Sequence, residues 1–102
     1  MHKYLDLLAE AAKQDFKRIV TGFLLDARPR DGGVRGAIFN DRLNRFEDGE
    51  SFTTSTIVET HQERGYTVLL TESGSCYVIV SHLIFVEDIV GGLPQTMILR
   101  AS

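Results

Sequence analysis

Two β-rich runs separated by four turn-forming residues constrain the fold of this chain most. Tyr66-Thr67-Val68-Leu69-Leu70-Thr71 and Cys76-Tyr77-Val78-Ile79-Val80 are dense in β-branched and aromatic side chains. Glu72-Ser73-Gly74-Ser75 lies between them and suits a hairpin loop. Small sheets grown from such a pair leave edges that need cover.

The rest of the chain supplies more strands and one helix. Leu5, Leu8, Ala12 and Phe16 recur at helical spacing, widened by Leu7, Ala9 and Ala11, which predicts a helix over residues 1–17. From Arg18 the character changes, and Ile19 to Leu25 reads as a largely buried strand. Pro29, Asp31, Gly32 and Gly33 mark a turn, and Val34 to Phe39 returns as a strand in which Gly36 marks a bulge or a close backbone contact. Asp48-Gly49 is a tight-turn pair between Phe46 and Phe52. Thr53 to Glu59 is either a further strand or a strand broken by a short turn that presents hydroxyls. Leu83 to Val86 and Met97 to Leu99 are apolar and split by Gly91-Gly92-Leu93-Pro94. The expected fold is α+β: an N-terminal helix, then a small curved antiparallel sheet or partly open barrel of about five strands over residues 18–80. The 81–102 tail covers the sheet or meets another copy, so a homo-oligomer is expected of this single domain, residues 1–102.

Composition narrows the function classes. The chain has 102 residues, 43% hydrophobic and 25% charged, which fits one soluble domain. Nothing approaches a membrane span, and Asp6 and Glu10 interrupt any signal-peptide layout. The lone Cys76 forms no internal disulfide, so a reducing, cytoplasmic setting is expected. His2, His61 and His82 are scattered, so neither a metal site nor a cofactor is expected. Gly-x-Ser-x-Gly is absent, and Gly32-Gly33-Val34-Arg35-Gly36 matches neither phosphate-loop pattern, so no catalytic residues are assigned and no enzyme is expected.

Charge is distributed unevenly. Net charge is −3, which argues against nucleic acid as a general partner. Yet residues 28–45 hold five arginines, Arg28, Arg30, Arg35, Arg42 and Arg45, against Asp31 and Asp41. Residues 46–102 hold two basic groups against eight acidic ones. Guanidinium forks grip phosphate or carboxylate at two points. Two readings fit: the arginines pair with the acidic C-terminal half, or they hold an anionic ligand. The second makes a binding constellation of Asn40, Arg42, Arg45, Phe46, Thr54, Ser55, Thr71, Ser75 and Tyr77. Phe46 stacks on a base in that reading and anchors the Asp48-Gly49 turn in the other. Thr53-Thr54-Ser55 is likewise a donor and acceptor cluster, or ordinary threonines on a wet sheet face.

The order Asn40-Asp41, Arg45-Phe46, Asp48-Gly49, Thr54-Ser55, Ile57, Val68, Thr71, Ser75 and Tyr77, over about residues 36–80, resembles the anti-Thoeris sponge proteins of phages. Those proteins sequester cyclic ADP-ribose-type signalling nucleotides, some also cyclic oligonucleotides, without hydrolysing them. Thr71-Glu72-Ser73-Gly74-Ser75 departs from the pattern, which has an asparagine-serine pair there. The resemblance implies a phage or mobile-element protein that counters bacterial defence. It puts Arg42 and Arg45 on phosphates, Phe46 or Tyr77 against a base, Thr54 and Ser55 on ribose, and the sites at a subunit interface. The alternative is a protein-interaction inhibitor of the anti-CRISPR kind that binds a host defence protein directly, with Glu47, Asp48, Glu50, Glu59 and Glu63 mimicking nucleic-acid charge.

Overall fold

Helix α1 (Lys3–Ala12) precedes eight strands: β1 (Gly22–Arg30), β2 (Gly33–Phe39), β3 (Glu50–Thr53), β4 (Ile57–Glu63), β5 (Tyr66–Thr71), β6 (Cys76–Ile79), β7 (His82–Val90) and β8 (Leu93–Ala101). The computed structural model describes residues 3–90 and 92–101, with side chains over 5–84. Residues 1 and 2 of the expected helix, and the side chains of most of the 81–102 tail, lie outside the described residues.

The α+β class holds, with three corrections. Among the described residues the strands number eight rather than about five, because polar β4 and the tail segments are strands as well. The sheet is mixed rather than antiparallel: β1 runs parallel to β6 and, through Ala27↔His82, to β7. It also does not close into a barrel. The order is β3-β2-β1-β6-β5-β4, with β7 and β8 branching from β1, and edge strands β3 and β4 do not pair.

The sheet nonetheless curls strongly. Six strands laid flat separate their outer members by about 24 Å, at roughly 4.8 Å per step. The four Cα steps from Thr53 to Ile57 reach about 14 Å. The two edges must therefore approach at that end. The Ile57 N–H donates to the Gly32 carbonyl (3.0 Å) and the Glu72 N–H to the Thr56 carbonyl (2.8 Å), which ties the linker across the gap.

Alternation along the strands builds two apolar layers. Phe23, Leu25, Val68, Cys76, Val78 and Val80 pack under Leu8 and Ala11 of α1. Leu24, Ala27, Ile38, Leu69, Tyr77 and Ile79 fill the inside of the curl. The helix buries Leu8 and Ala11, whereas Leu5 is 53% exposed, so its inner face is rotated from the expected Leu5-Leu8-Ala12-Phe16 stripe. It also stops at Ala12, short of residue 17. The next residues are tied to the β4–β5 turn instead. The Lys17 N–H donates to Glu63 (2.6 Å), Arg64 Nε donates to the Asp15 carbonyl (3.2 Å), and Phe16 meets Tyr66 edge-on. Such tertiary ties outweigh helix propensity. Ile19, expected in a buried strand, precedes β1 and is 69% exposed.

A bulge in β1 separates the apolar half from the basic half. Asp26 and Ala27 together oppose Gly36, and Asp26 takes a left-handed φ of 56°. A Cβ on Gly36 would lie 2.8 Å from the Leu25 carbonyl oxygen, which accounts for the glycine. Buried Ser81 holds the bulge by accepting the Asp26 N–H at 2.9 Å. Asp31-Gly32 and Arg64-Gly65 make two-residue turns with both φ values positive, the geometry that matches strand twist. Asp48-Gly49 is a tight turn, but it closes the 40–49 loop between β2 and β3 rather than a two-residue hairpin.

The tail forms a long hairpin, paired from His82↔Ala101 to Val90↔Leu93. Among the described residues its backbone pairs with the sheet only at Ala27↔His82. The molecule measures 49 Å along its longest axis. No helix among the described residues is long and apolar enough to cross a membrane.

Candidate functional site: a hydroxyl recess and an arginine ledge

The expected site residues fall into two groups with no hydrogen bond, ion pair or ring contact between them among the described residues. The first group sits on the 40–49 loop. Asp41 has its side chain 1% exposed and accepts from the Arg45 N–H (2.7 Å) and the Leu43 N–H (3.4 Å). Arg45 closes on the same carboxylate at 3.2 Å and on the Tyr77 hydroxyl at 3.3 Å. Burial pushes Asp41 up, but the Arg45 side chain and the two backbone N–H groups outweigh it and hold the carboxyl below its ordinary range. The bonds to Asp41 and then Tyr77 raise Arg45 against its own partial burial.

Arg45 is therefore engaged by Asp41 of its own loop and by Tyr77 of β6. Its guanidinium lies 5.2 Å over the Phe46 ring and 5.7 Å over the Phe52 ring. Phe46, Phe52 and the buried Tyr77 form a row of tilted rings, with centroids 4.9 and 5.3 Å apart. Phe46 thus packs against the core lining, and Tyr77, 2% exposed, packs against Phe52. Asn40 is exposed with φ 53°, its N–H held by Asp48. Arg42 is exposed, with its backbone N–H on the Thr21 carbonyl.

The second group lies where the sheet edges approach. Thr53, Thr54, Ser55, Thr56 and Ser73, with Arg30, Asp31 and Glu72, line a recess of about 490 Å³. Two of the expected hydroxyls are consumed by the backbone. Thr54, 6% exposed, accepts the Val34 N–H (3.0 Å) and donates to the Ser55 carbonyl (2.7 Å). Thr71, 3% exposed, accepts the Ser75 N–H at 3.1 Å and so shapes the β5–β6 turn. Ser75 contributes that backbone rather than a recess wall. Ser55 Oγ and Ser73 Oγ are 3.0 Å apart, and Ser73 continues to Thr71 Oγ1 at 3.1 Å. Both serines are exposed, so their remaining hydrogen-bonding capacity faces the recess.

Thr53 belongs to the expected hydroxyl cluster, and Ser73 reaches the recess from the β5–β6 hairpin, as a hairpin next to the threonine run would place it. Arg30, Asp31, Thr56 and Glu72 are recess residues outside the expected constellation. The signal for two of them was present: Thr56 continues the hydroxyl run, and Arg30 belongs to the arginine block. Glu72 joins only through the β5–β6 turn folding over the 54–56 linker.

Several other polar groups are engaged within the fold. Glu59 meets Arg18 at 3.9 Å and His61 at 3.4 Å, and Glu63 accepts the Lys17 N–H. Glu50 accepts the Glu47 N–H. Among the described residues, no group of three or more His, Cys, Asp or Glu side chains could hold a metal ion. Cys76 is buried, and burial raises its thiol above the ordinary range. No protein-family model, curated protein or solved structure matches this chain.

Proposed function

We propose that this chain is a binding protein rather than a catalyst, and that it sequesters a small anionic nucleotide. A phage or mobile-element setting, in which the captured molecule is a defence signal, is the part of this reading that comes from the sequence resemblance. The observation that carries the reading is the recess. Serine and threonine hydroxyls together with the Asp31 and Glu72 carboxylates are the groups that hydrogen-bond sugar hydroxyls, and Arg30 supplies positive charge on the same wall. A volume of about 490 Å³ is in the range of small-molecule sites. The Arg42 and Arg45 loop takes a supporting role, because Arg45 is already neutralised by Asp41.

Differential scanning fluorimetry against cyclic ADP-ribose, ADP-ribose and cyclic dinucleotides tests it. A ligand present at a hundred times its dissociation constant stabilises the fold by about 2.7 kcal/mol. A flat response across the panel contradicts the proposal.

A second reading has its own observation. Among the described residues the β7–β8 hairpin joins the sheet through one bridge and β8 pairs with β7 alone, which makes β8 an outer edge. Free edges recruit strands from a second copy or from a host protein. We assign self-association to this hairpin, and native mass spectrometry of the fluorimetry samples reads copy number and any retained nucleotide together.

A further inference from the structure

We propose that Arg30, on the wall of the hydroxyl recess, and Arg35, beside it on β2 and bonded to the recess residue Thr53, form the phosphate subsite of the recess; this rests on the nucleotide reading above. Register and alternation build the arrangement. Arg28 stands opposite Arg35, and Arg30 follows Arg28 by two residues, so all three emerge on one face of the β1–β2 hairpin. Arg35 in turn stands opposite Thr53 and donates to its hydroxyl at 2.8 Å. Thr53 and Arg30 both line the recess, so the basic face and the hydroxyl wall meet at these two residues.

The charge on this face is left over from folding. Arg28 and Arg35 are register partners of like sign, an arrangement that destabilises a ladder. Among the described residues neither is in an ion pair. Arg28 donates to the Asp26 carbonyl and Arg35 to Thr53, both uncharged acceptors. Arg30 meets Asp31 at 3.9 Å, but the Asp31 side chain is 94% exposed, so water screens that pair. No arginine of the 28–45 block pairs with the acidic C-terminal half among the described residues; the two that pair do so with Asp31 and Asp41.

Glu72 fixes the direction of the ligand, since it repels a phosphate yet accepts from sugar hydroxyls. Asp31, fully in solvent beside Arg30, swings aside when a phosphate takes that guanidinium. A nucleotide therefore lies with its sugar toward Glu72 and Ser73 and its phosphate toward Arg35. Guanidinium forks hold such a phosphate at two points.

Isothermal titration with two probes, inorganic pyrophosphate and cyclic ADP-ribose, tests the assignment. Arg30→Gln and Arg35→Gln each weaken both probes at least tenfold, and rising salt weakens wild-type binding. Ser55→Ala with Ser73→Ala weakens cyclic ADP-ribose and leaves pyrophosphate unchanged. Arg35→Lys, which keeps charge but loses the fork, gives an intermediate loss and guards against a folding artefact. Lys13→Gln changes neither probe. Cyclic ADP-ribose binding that survives both glutamine variants overturns the subsite and leaves the nucleotide reading standing. Arginine-dependent pyrophosphate binding without any nucleotide binding keeps the subsite and removes the nucleotide reading. Binding of neither probe to the wild type overturns both, and tighter binding to a duplex DNA oligomer than to either probe overturns the small-ligand assignment.

Discussion

Asp41→Asn lowers stability by about 2–3 kcal/mol at neutral pH, the range for losing charge-assisted hydrogen bonds to a buried carboxylate. In a domain of this size that is a fall of about 10 °C or more in melting temperature. The carboxylate accepts from two backbone N–H groups and the Arg45 guanidinium, and it fixes the start of the 40–49 loop. An amide turns one acceptor oxygen into a donor facing Arg45. Arg45→Gln costs less, about 1 kcal/mol, because the backbone N–H partners remain. The pH dependence has a definite sign. The folded-state pKa of Asp41 is depressed, so its contribution is complete above the unfolded value of about 3.9 and is lost as pH falls through the folded value. Thermal melts of wild type and Asp41→Asn therefore differ most near pH 7 and converge below about pH 4. A gap that stays constant down to pH 2 removes the charge as its source.

Gly33→Ala is the other large effect. A Cβ at this position would lie 2.5 Å from the Thr54 carbonyl oxygen, 2.9 Å from Thr54 Oγ1 and 3.0 Å from the Ser55 carbonyl oxygen. Two of these are backbone atoms of the linker that carries the recess wall, so no side-chain rotation relieves the contact. The linker must move away from β2, which loses the Val34 N–H bond to Thr54 Oγ1. The expected cost is about 2–3 kcal/mol, as for overpacking a close-fitting site. Ligand affinity falls as well, because Ser55 and Thr56 move with the linker. Chemical denaturation and titration on the same variant check both parts; an unchanged midpoint means the linker is not packed against Gly33.

How much of this was legible depended on whether a residue's neighbours in sequence were also its neighbours in space. β5 and β6 are found where their β-branched runs lie, and the Asp31-Gly32 turn carries its own φ requirement. The alternative that broke Thr53 to Glu59 at a hydroxyl-bearing turn corresponds to the 54–56 linker. β4 was harder, because Val58, Glu59 and Thr60 are all exposed and leave no inward stripe to read. The helix end was illegible, since the segment after Ala12 is held by Glu63, 46 positions from Lys17, and by Arg64, 49 positions from Asp15. The site was half legible for the same reason. A run such as Thr53 to Thr56 announces polarity, but only the fold separates Thr54, spent on Val34, from Ser55, turned to the recess. Arg42 and Arg45 are near the hydroxyls in sequence, yet Arg45 belongs to Asp41. Arg30 and Arg35 reach Thr53 and the recess through ladder register, which no local motif encodes.

Amide chemical-shift mapping by NMR, with cyclic ADP-ribose added to the wild-type protein, tests the central claim most directly. The account predicts the largest shifts at residues 30–35, 53–56 and 72–73, around the recess and its basic rim. Shifts confined to the 40–46 loop or to the β7–β8 hairpin, or a spectrum that does not change, contradict it.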